Sequence, residues 1–187
     1  MRKLIYAINL TADGCCDHTK GIADEELHLF YANLLQHAGI LAYGRITYEL
    51  MVPYWPEIAK NPADQQPSIV AFAKAFDAAE KVVFSRTLDN VDDPHSRLVQ
   101  TDPAAEIIKL KQEPGKDIYL GGVALPSYLI QRGLVDEFIF VVQPVIAGAG
   151  RRLFDHLDLP GQLKLNLLSA TPFASGSVAH HYVLDKG

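Results

Sequence analysis

Asp117-Ile118-Tyr119-Leu120-Gly121-Gly122-Val123-Ala124 is the stretch that decides the fold. Its first four residues suit a buried strand, and a helical pattern runs on from the glycines to about residue 132. Two glycines at that junction open a helix N-terminus to a diphosphate, although a double glycine is also an ordinary tight connection. Outward from this stretch, strand and helix alternate. Strands are predicted at 3–10, 40–43, 81–85 and 97–100, and helices at 24–37, from Gly44 through Leu50, at 68–79 and at 103–112. In 24–37 the residues Leu27, Phe30, Tyr31, Leu34 and Leu35 recur at helical spacing. Residues 51–67 are rich in proline and read as a loop. After a long apolar strand at 138–145, the segments 163–169 and 177–184 read as closing antiparallel strands. The class is α/β: a mostly parallel central sheet with helices on both faces, antiparallel at its C-terminal strands, in a single domain over 1–187.

Composition narrows the partners. Seventeen basic residues face 22 acidic ones, giving a net charge of −5, and no Lys/Arg cluster appears, so no nucleic acid is expected. Cys15 and Cys16 are adjacent and are the only cysteines, which argues against a secreted disulfide framework and for a cytoplasmic protein. Met1-Arg2-Lys3 followed by an apolar run imitates a signal peptide, but that run contains Asn9 and is short, and it reads as a first strand. No stretch has the length of a membrane span. The apolar strands near the C-terminus suit a homodimer.

Ligands of open parallel sheets sit at the carboxyl ends of the strands. Three such ends carry suitable groups. Gly44-Arg45-Ile46-Thr47-Tyr48-Glu49 offers a close backbone approach at Gly44, a guanidinium fork at Arg45 and a hydroxyl at Thr47. The same residues also make a plain turn glycine, surface arginine and capping threonine. Ser85 and Arg86 could bind a second phosphate group or simply begin a polar loop. Gly121-Gly122 is the third. Gly148-Ala149-Gly150 continues as Arg151-Arg152-Leu153 without a third glycine, so the Rossmann fingerprint is not met. That segment is read as turning a long strand.

These sites, in this order, resemble the dihydrofolate reductase superfamily. The chain is most similar to short reductases akin to the C-terminal reductase domain of bifunctional riboflavin-biosynthesis enzymes. The resemblance is carried by Thr11-Ala12-Asp13-Gly14, Gly44-Arg45-Ile46-Thr47-Tyr48-Glu49, Tyr54-Trp55-Pro56, Leu120-Gly121-Gly122, and Pro144-Val145 through Gly148-Ala149-Gly150 to Leu153-Phe154. It implies a dihydrofolate reductase-like fold and an NADPH-dependent reductase acting on a small nitrogen heterocycle, pterin-like or pyrimidine-like. In that reading Arg45 holds the ribose 2′-phosphate, and Thr47 with Gly121, Gly122, Val123 and Ala124 holds the diphosphate. Gly44 lets the cofactor approach the backbone, and Ser85 and Arg86 flank the adenosine. Ala7 and Ile8 lie near the nicotinamide, whose amide is read by backbone near Cys15 and Cys16.

The substrate side has fewer signals. Asp24 and His28 are four apart on one face of the first helix and are the candidate catalytic residues. Asp24 is also well placed as an N-cap, the reading favoured over a catalytic one, in which case its carboxylate bonds the Glu26 or Leu27 amide. Trp55 is the candidate substrate wall, or else a packing anchor for its segment. His180 and His181 point to opposite faces of a strand, Asp155-His156 has no nucleophile near it in sequence, and no metal is expected. The rival reading is a non-catalytic NADP(H)-binding sensor or interaction protein, because the dinucleotide half of the site is the same in both.

Overall fold

The computed structural model describes residues 1–155 and 157–185. His156, paired with Asp155 in the reading above, lies outside them. In chain order the elements are β1 (Leu4–Thr11), a 3-10 turn (His18–Lys20), α1 (Glu25–His37), β2 (Ala38–Gly44), α2 (Arg45–Met51), α3 (Trp55–Lys60), α4 (Pro67–Ala78), β3 (Glu80–Phe84), β4 (Ser96–Val99), α5 (Pro103–Gln112), β5 (Asp117–Leu120), α6 (Ala124–Ile130), β6 (Glu137–Gln143), β7 (Leu165–Pro172) and β8 (Val178–Leu184).

The helix starts follow from local chemistry. Asp24 caps α1, its carboxylate accepting from the Leu27 amide, and Glu25 and Glu26 sit in the positive first turn. Asp102 caps α5 through the Ala104 and Ala105 amides, with Pro103 opening the helix. The proline-rich stretch 51–67 is not all loop, as expected, but contains α3 and ends where α4 begins. Pro56 lies in the first turn of α3 and Pro67 in the first turn of α4, where a missing N–H costs nothing. β6 stops at Gln143, short of the expected 145, because Pro144 cannot donate to the ladder.

The sheet runs β4-β3-β2-β5-β1-β6-β8-β7. From β4 to β6 all neighbours are parallel, while β8 is antiparallel to both β6 and β7. Side chains alternate faces along each strand. Leu4, Tyr6, Ile40, Ala42, Ile118 and Leu120 enter the core closed by Ile107 and Leu110 of α5 and by Leu125 and Leu129 of α6. Leu41 and Tyr43 enter the other core, closed by Ala32 and Leu35 of α1 and by Phe72 and Phe76 of α4. The chain leaves β1, crosses to β2, and returns later to lay β5 between them. The carboxyl ends of β1, β2 and β5 therefore open together at the point where strand order reverses, the usual place for a ligand crevice.

Candidate active site

At the end of β5, the Gly121 amide donates to the Ala42 carbonyl at 3.2 Å, holding the turn against β2. A Cβ at Gly121 would stand 2.6 Å from Cε1 of Tyr43. Gly122 has φ +87°, and a Cβ there would fall on the Thr47 hydroxyl. The Tyr6 hydroxyl donates to the Gly122 carbonyl at 2.8 Å and fixes the turn from β1. The glycines are thus required by close approach to Tyr43 of β2 and Thr47 of α2. Thr47 and Arg45 stand on the first turn of α2, and neither α2 nor α6 has a side-chain N-cap. The Arg45 guanidinium donates to both carboxylate oxygens of Glu49, at 2.9 and 3.2 Å, with both side chains about half exposed. Ser85 accepts from the Thr87 and Leu88 amides, each at 3.1 Å, and Arg86 is exposed beside it.

Arg45, Thr47, Ser85, Arg86, Gly121 and Gly122 line a cleft of about 1280 Å³ that is also bordered by Ala7 and Ile8 of β1 and by residues of α1 and α3. A typical small-molecule pocket holds about 300–1,000 Å³, so this one has room for two ligands end to end. Gly44, Val123 and Ala124 border it as well.

Beyond β1, the turn carrying the cysteines is clamped to the segment after β6. The Asp13 carboxylate accepts from the Thr11 hydroxyl at 2.6 Å, from the Ala147 and Gly148 amides at 3.0 Å, and from the Arg152 guanidinium at 3.1 Å. Those bonds, the Thr11 hydroxyl foremost, hold Asp13 well below the usual carboxylate range. The segment Gly148-Ala149-Gly150 thus lies against the β1 turn. The Cys16 amide donates to the Arg151 carbonyl at 2.8 Å. Both cysteines are free, Cys15 is buried, and burial pushes the Cys16 thiol up, which keeps it protonated at neutral pH.

The far end is aromatic. His28 of α1, Trp55 of α3 and Phe72 of α4 form an edge-to-face group, with ring centroids 6.0 Å apart for His28–Trp55, 6.2 Å for His28–Phe72 and 4.5 Å for Trp55–Phe72. All three border the cleft. Nδ1 of His28 lies 2.7 Å from the Asp24 carbonyl. A carbonyl only accepts, so Nδ1 carries the hydrogen, and Nε2 of the neutral ring is an acceptor.

The two candidate catalytic residues therefore separate. His28 borders the cleft, while the Asp24 carboxylate is turned to the Leu27 amide at 2.8 Å and Asp24 is not part of the cleft wall. Its helix-capping geometry leaves Asp24 to act on the site only by orienting His28. Sequence reasoning did not single out Tyr31, whose hydroxyl donates to Asn9 Oδ1 at 2.8 Å where both border the cleft. The signal available was Asn9 itself, a polar residue inside an apolar strand. Gln143 was missed as well: it is buried at the end of β6 and bonds both the amide and the carbonyl of Ile22, at 2.8 and 2.7 Å.

A parallel sheet with helices on both faces, antiparallel C-terminal strands and a glycine-floored cleft at the strand ends is the architecture of dihydrofolate reductase-like proteins. The chain belongs to the RibD C-terminal domain family, whose model matches residues 2–179. Among curated proteins it is 30% identical over 181 residues to the uncharacterised protein YyaP of Bacillus subtilis strain 168, covering 95% of this chain and 92% of that one. It is 28% identical over 192 residues to YwjB of the same organism, covering 97% and 98%. A solved structure from Shewanella sp. PV-4, named for riboflavin biosynthesis, superposes with a TM-score of 0.72 at 18% identity, covering 98% of this chain and 99% of that chain. The Thermotoga maritima diaminohydroxyphosphoribosylaminopyrimidine deaminase/5-amino-6-(5-phosphoribosylamino)uracil reductase superposes with a TM-score of 0.63 at 16% identity. There this chain covers 57% of the longer protein, with 98% of itself matched. At such identities the likeness to solved structures is one of fold.

Proposed function

We propose that the protein is an NADPH-dependent reductase that transfers hydride to a small nitrogen heterocycle. The observation that carries this reading is the Gly121-Gly122 turn packed against Thr47 and Tyr43, with Arg45 at the start of α2, opening into a cleft that ends in an aromatic group. Backbone at such a turn can approach a diphosphate closely. Arg45 supplies a planar fork for the 2′-phosphate, and Ser85 and Arg86 border the adenosine end. NADPH supplies the hydride. The protein would orient the cofactor, with Ala7 and Ile8 of β1 lining the nicotinamide end of the cleft. A single ordered water is the candidate proton carrier, while His28, held in one tautomer by the Asp24 carbonyl, orients the substrate.

The Glu49 partner of Arg45 does not stand against this role. An exposed i,i+4 pair is worth about 0.3–0.5 kcal/mol, whereas a charge-assisted hydrogen bond to phosphate contributes about 1.5–3 kcal/mol. The phosphate wins the guanidinium. Calorimetric titration tests the assignment. NADPH should bind more tightly than NADH by about one to two decades, and Arg45→Ala should abolish that difference while leaving NADH affinity in place. Equal affinities in the parent protein would remove Arg45 from the 2′-phosphate. A homodimer is supported by the exposed leucines Leu167 and Leu168 on β7, a strand at the edge of the sheet, and sedimentation would read it directly.

A further inference from the structure

The two ends of the cleft differ in charge, and the difference bears on what can be reduced. The lysine and arginine side chains bordering the cleft are Arg45, Arg86 and Arg151. Arg45 and Arg86 stand at the ends of β2 and β3, on the cofactor side. Arg151 borders the small recess behind Val123 and Ala124, again next to the glycine turn. Around His28, Trp55 and Phe72 the cleft is also bordered by Tyr31, Leu35, Met51 and Tyr54, and Arg45, Arg86 and Arg151 are its only lysine or arginine neighbours among the described residues. A phosphate dianion placed there would lose its hydration without gaining a cation.

We propose that the substrate is an uncharged, unphosphorylated amino-substituted heterocycle, which stacks in the aromatic end and donates an N–H to Nε2 of His28. The inference rests on the reductase reading above and names its substrate class. It separates this chain from a reductase for a phosphoribosylamino-uracil, the substrate named for the Thermotoga maritima protein. The tautomer argument gives the polarity of the contact. With Nδ1–H given to the Asp24 carbonyl, the neutral ring offers an acceptor, so the ligand must bring the hydrogen. Trp55 and Phe72 supply flat apolar surface that a ring fills and a sugar phosphate does not.

The test uses two pairs of probes differing only in a phosphate: 5-amino-6-ribosylaminouracil against its 5′-phosphate, and neopterin against its monophosphate. Affinities are read by calorimetry on the whole chain without cofactor, so the result does not depend on NADPH binding. The unphosphorylated member of at least one pair should bind, and its phosphate ester should bind about tenfold more weakly. Leu50→Arg, at a residue 45% exposed, should bring that ester to within about twofold of its parent by adding the missing cation. His28→Phe keeps a ring in place and should weaken the unphosphorylated probe about tenfold. Equal or tighter binding of a phosphate ester overturns the proposal, as does failure of all four probes to bind. An unchanged affinity in His28→Phe overturns the assigned hydrogen bond. NADPH selectivity that persists after any of these failures would leave the cofactor reading standing.

Discussion

The glycine-turn end of the cleft and its aromatic end are built by different means. At the turn, the groups that would meet a phosphate come from two short segments, 44–47, where β2 runs directly into α2, and 121–124, where a three-residue turn joins β5 to α6. Backbone and a few small or charged side chains do the work, and the closest contacts lie between residues at neighbouring strand ends. At the aromatic end, His28, Trp55 and Phe72 come from three helices, with β2 and α2 intervening between the first and the second, and only the packing of α1 and α3 against α4 brings them together. An anion site of this kind can be specified locally. A ring site has to be assembled, so its walls also serve as core.

That contrast predicts different costs of mutation. The largest effect is expected at Trp55. Removing a fully buried tryptophan costs about 3–5 kcal/mol, and a half-buried one that seals α3 onto Phe72 should cost about 2 kcal/mol. Denaturant unfolding of Trp55→Ala should show this loss, with calorimetric NADPH affinity unchanged to within about twofold. A stable variant would make Trp55 a wall and nothing more, and the two ends would no longer differ in this way.

A smaller effect is expected at Thr47. Thr47→Val keeps the shape beside Gly122 and removes one hydroxyl, so NADPH and NADH should weaken together by about 0.5–1.5 kcal/mol, with little change in unfolding. A loss confined to NADPH would move Thr47 from the diphosphate to the 2′-phosphate. The smallest effect belongs to Glu49. Glu49→Gln removes the carboxylate that competes for Arg45, and NADPH should bind tighter by about 0.3–0.5 kcal/mol while NADH is unmoved. Weaker NADPH binding in that variant would mean that Glu49 holds Arg45 in its binding pose.

The legibility of the molecule divides along the same line. The alternation around residues 117–124 pointed to an α/β sheet with antiparallel strands at its end, and the sheet has that form. The run after Met1-Arg2-Lys3 was read as a strand, and it is β1. The cap at Asp24 was legible as one of two readings, because an N-cap bond spans only three residues. The stretch 51–67 was misread because proline marks the first turn of a helix as well as a loop, and composition alone does not tell these apart. Asn9 stood out in its strand, yet its partner Tyr31 lies 22 positions away on a helix, beyond any local pattern.

What the amino-acid order determined by itself was therefore everything set by neighbours along the chain: strand and helix periods, helix caps, the glycine turn, and an arginine placed four residues before a glutamate. Tertiary structure alone decided which of those pieces face one another. It set the Asp13 carboxylate against the amides of residues 147 and 148, and split Asp24 from His28 by turning one into its helix and the other into the cleft. It left Arg45, Arg86 and Arg151 as the only lysine or arginine neighbours of the cleft among the described residues. The reason is physical: a cap or a turn closes within a few bonds of its own backbone, whereas a cleft wall exists only once the sheet order has brought distant strand ends and helices together.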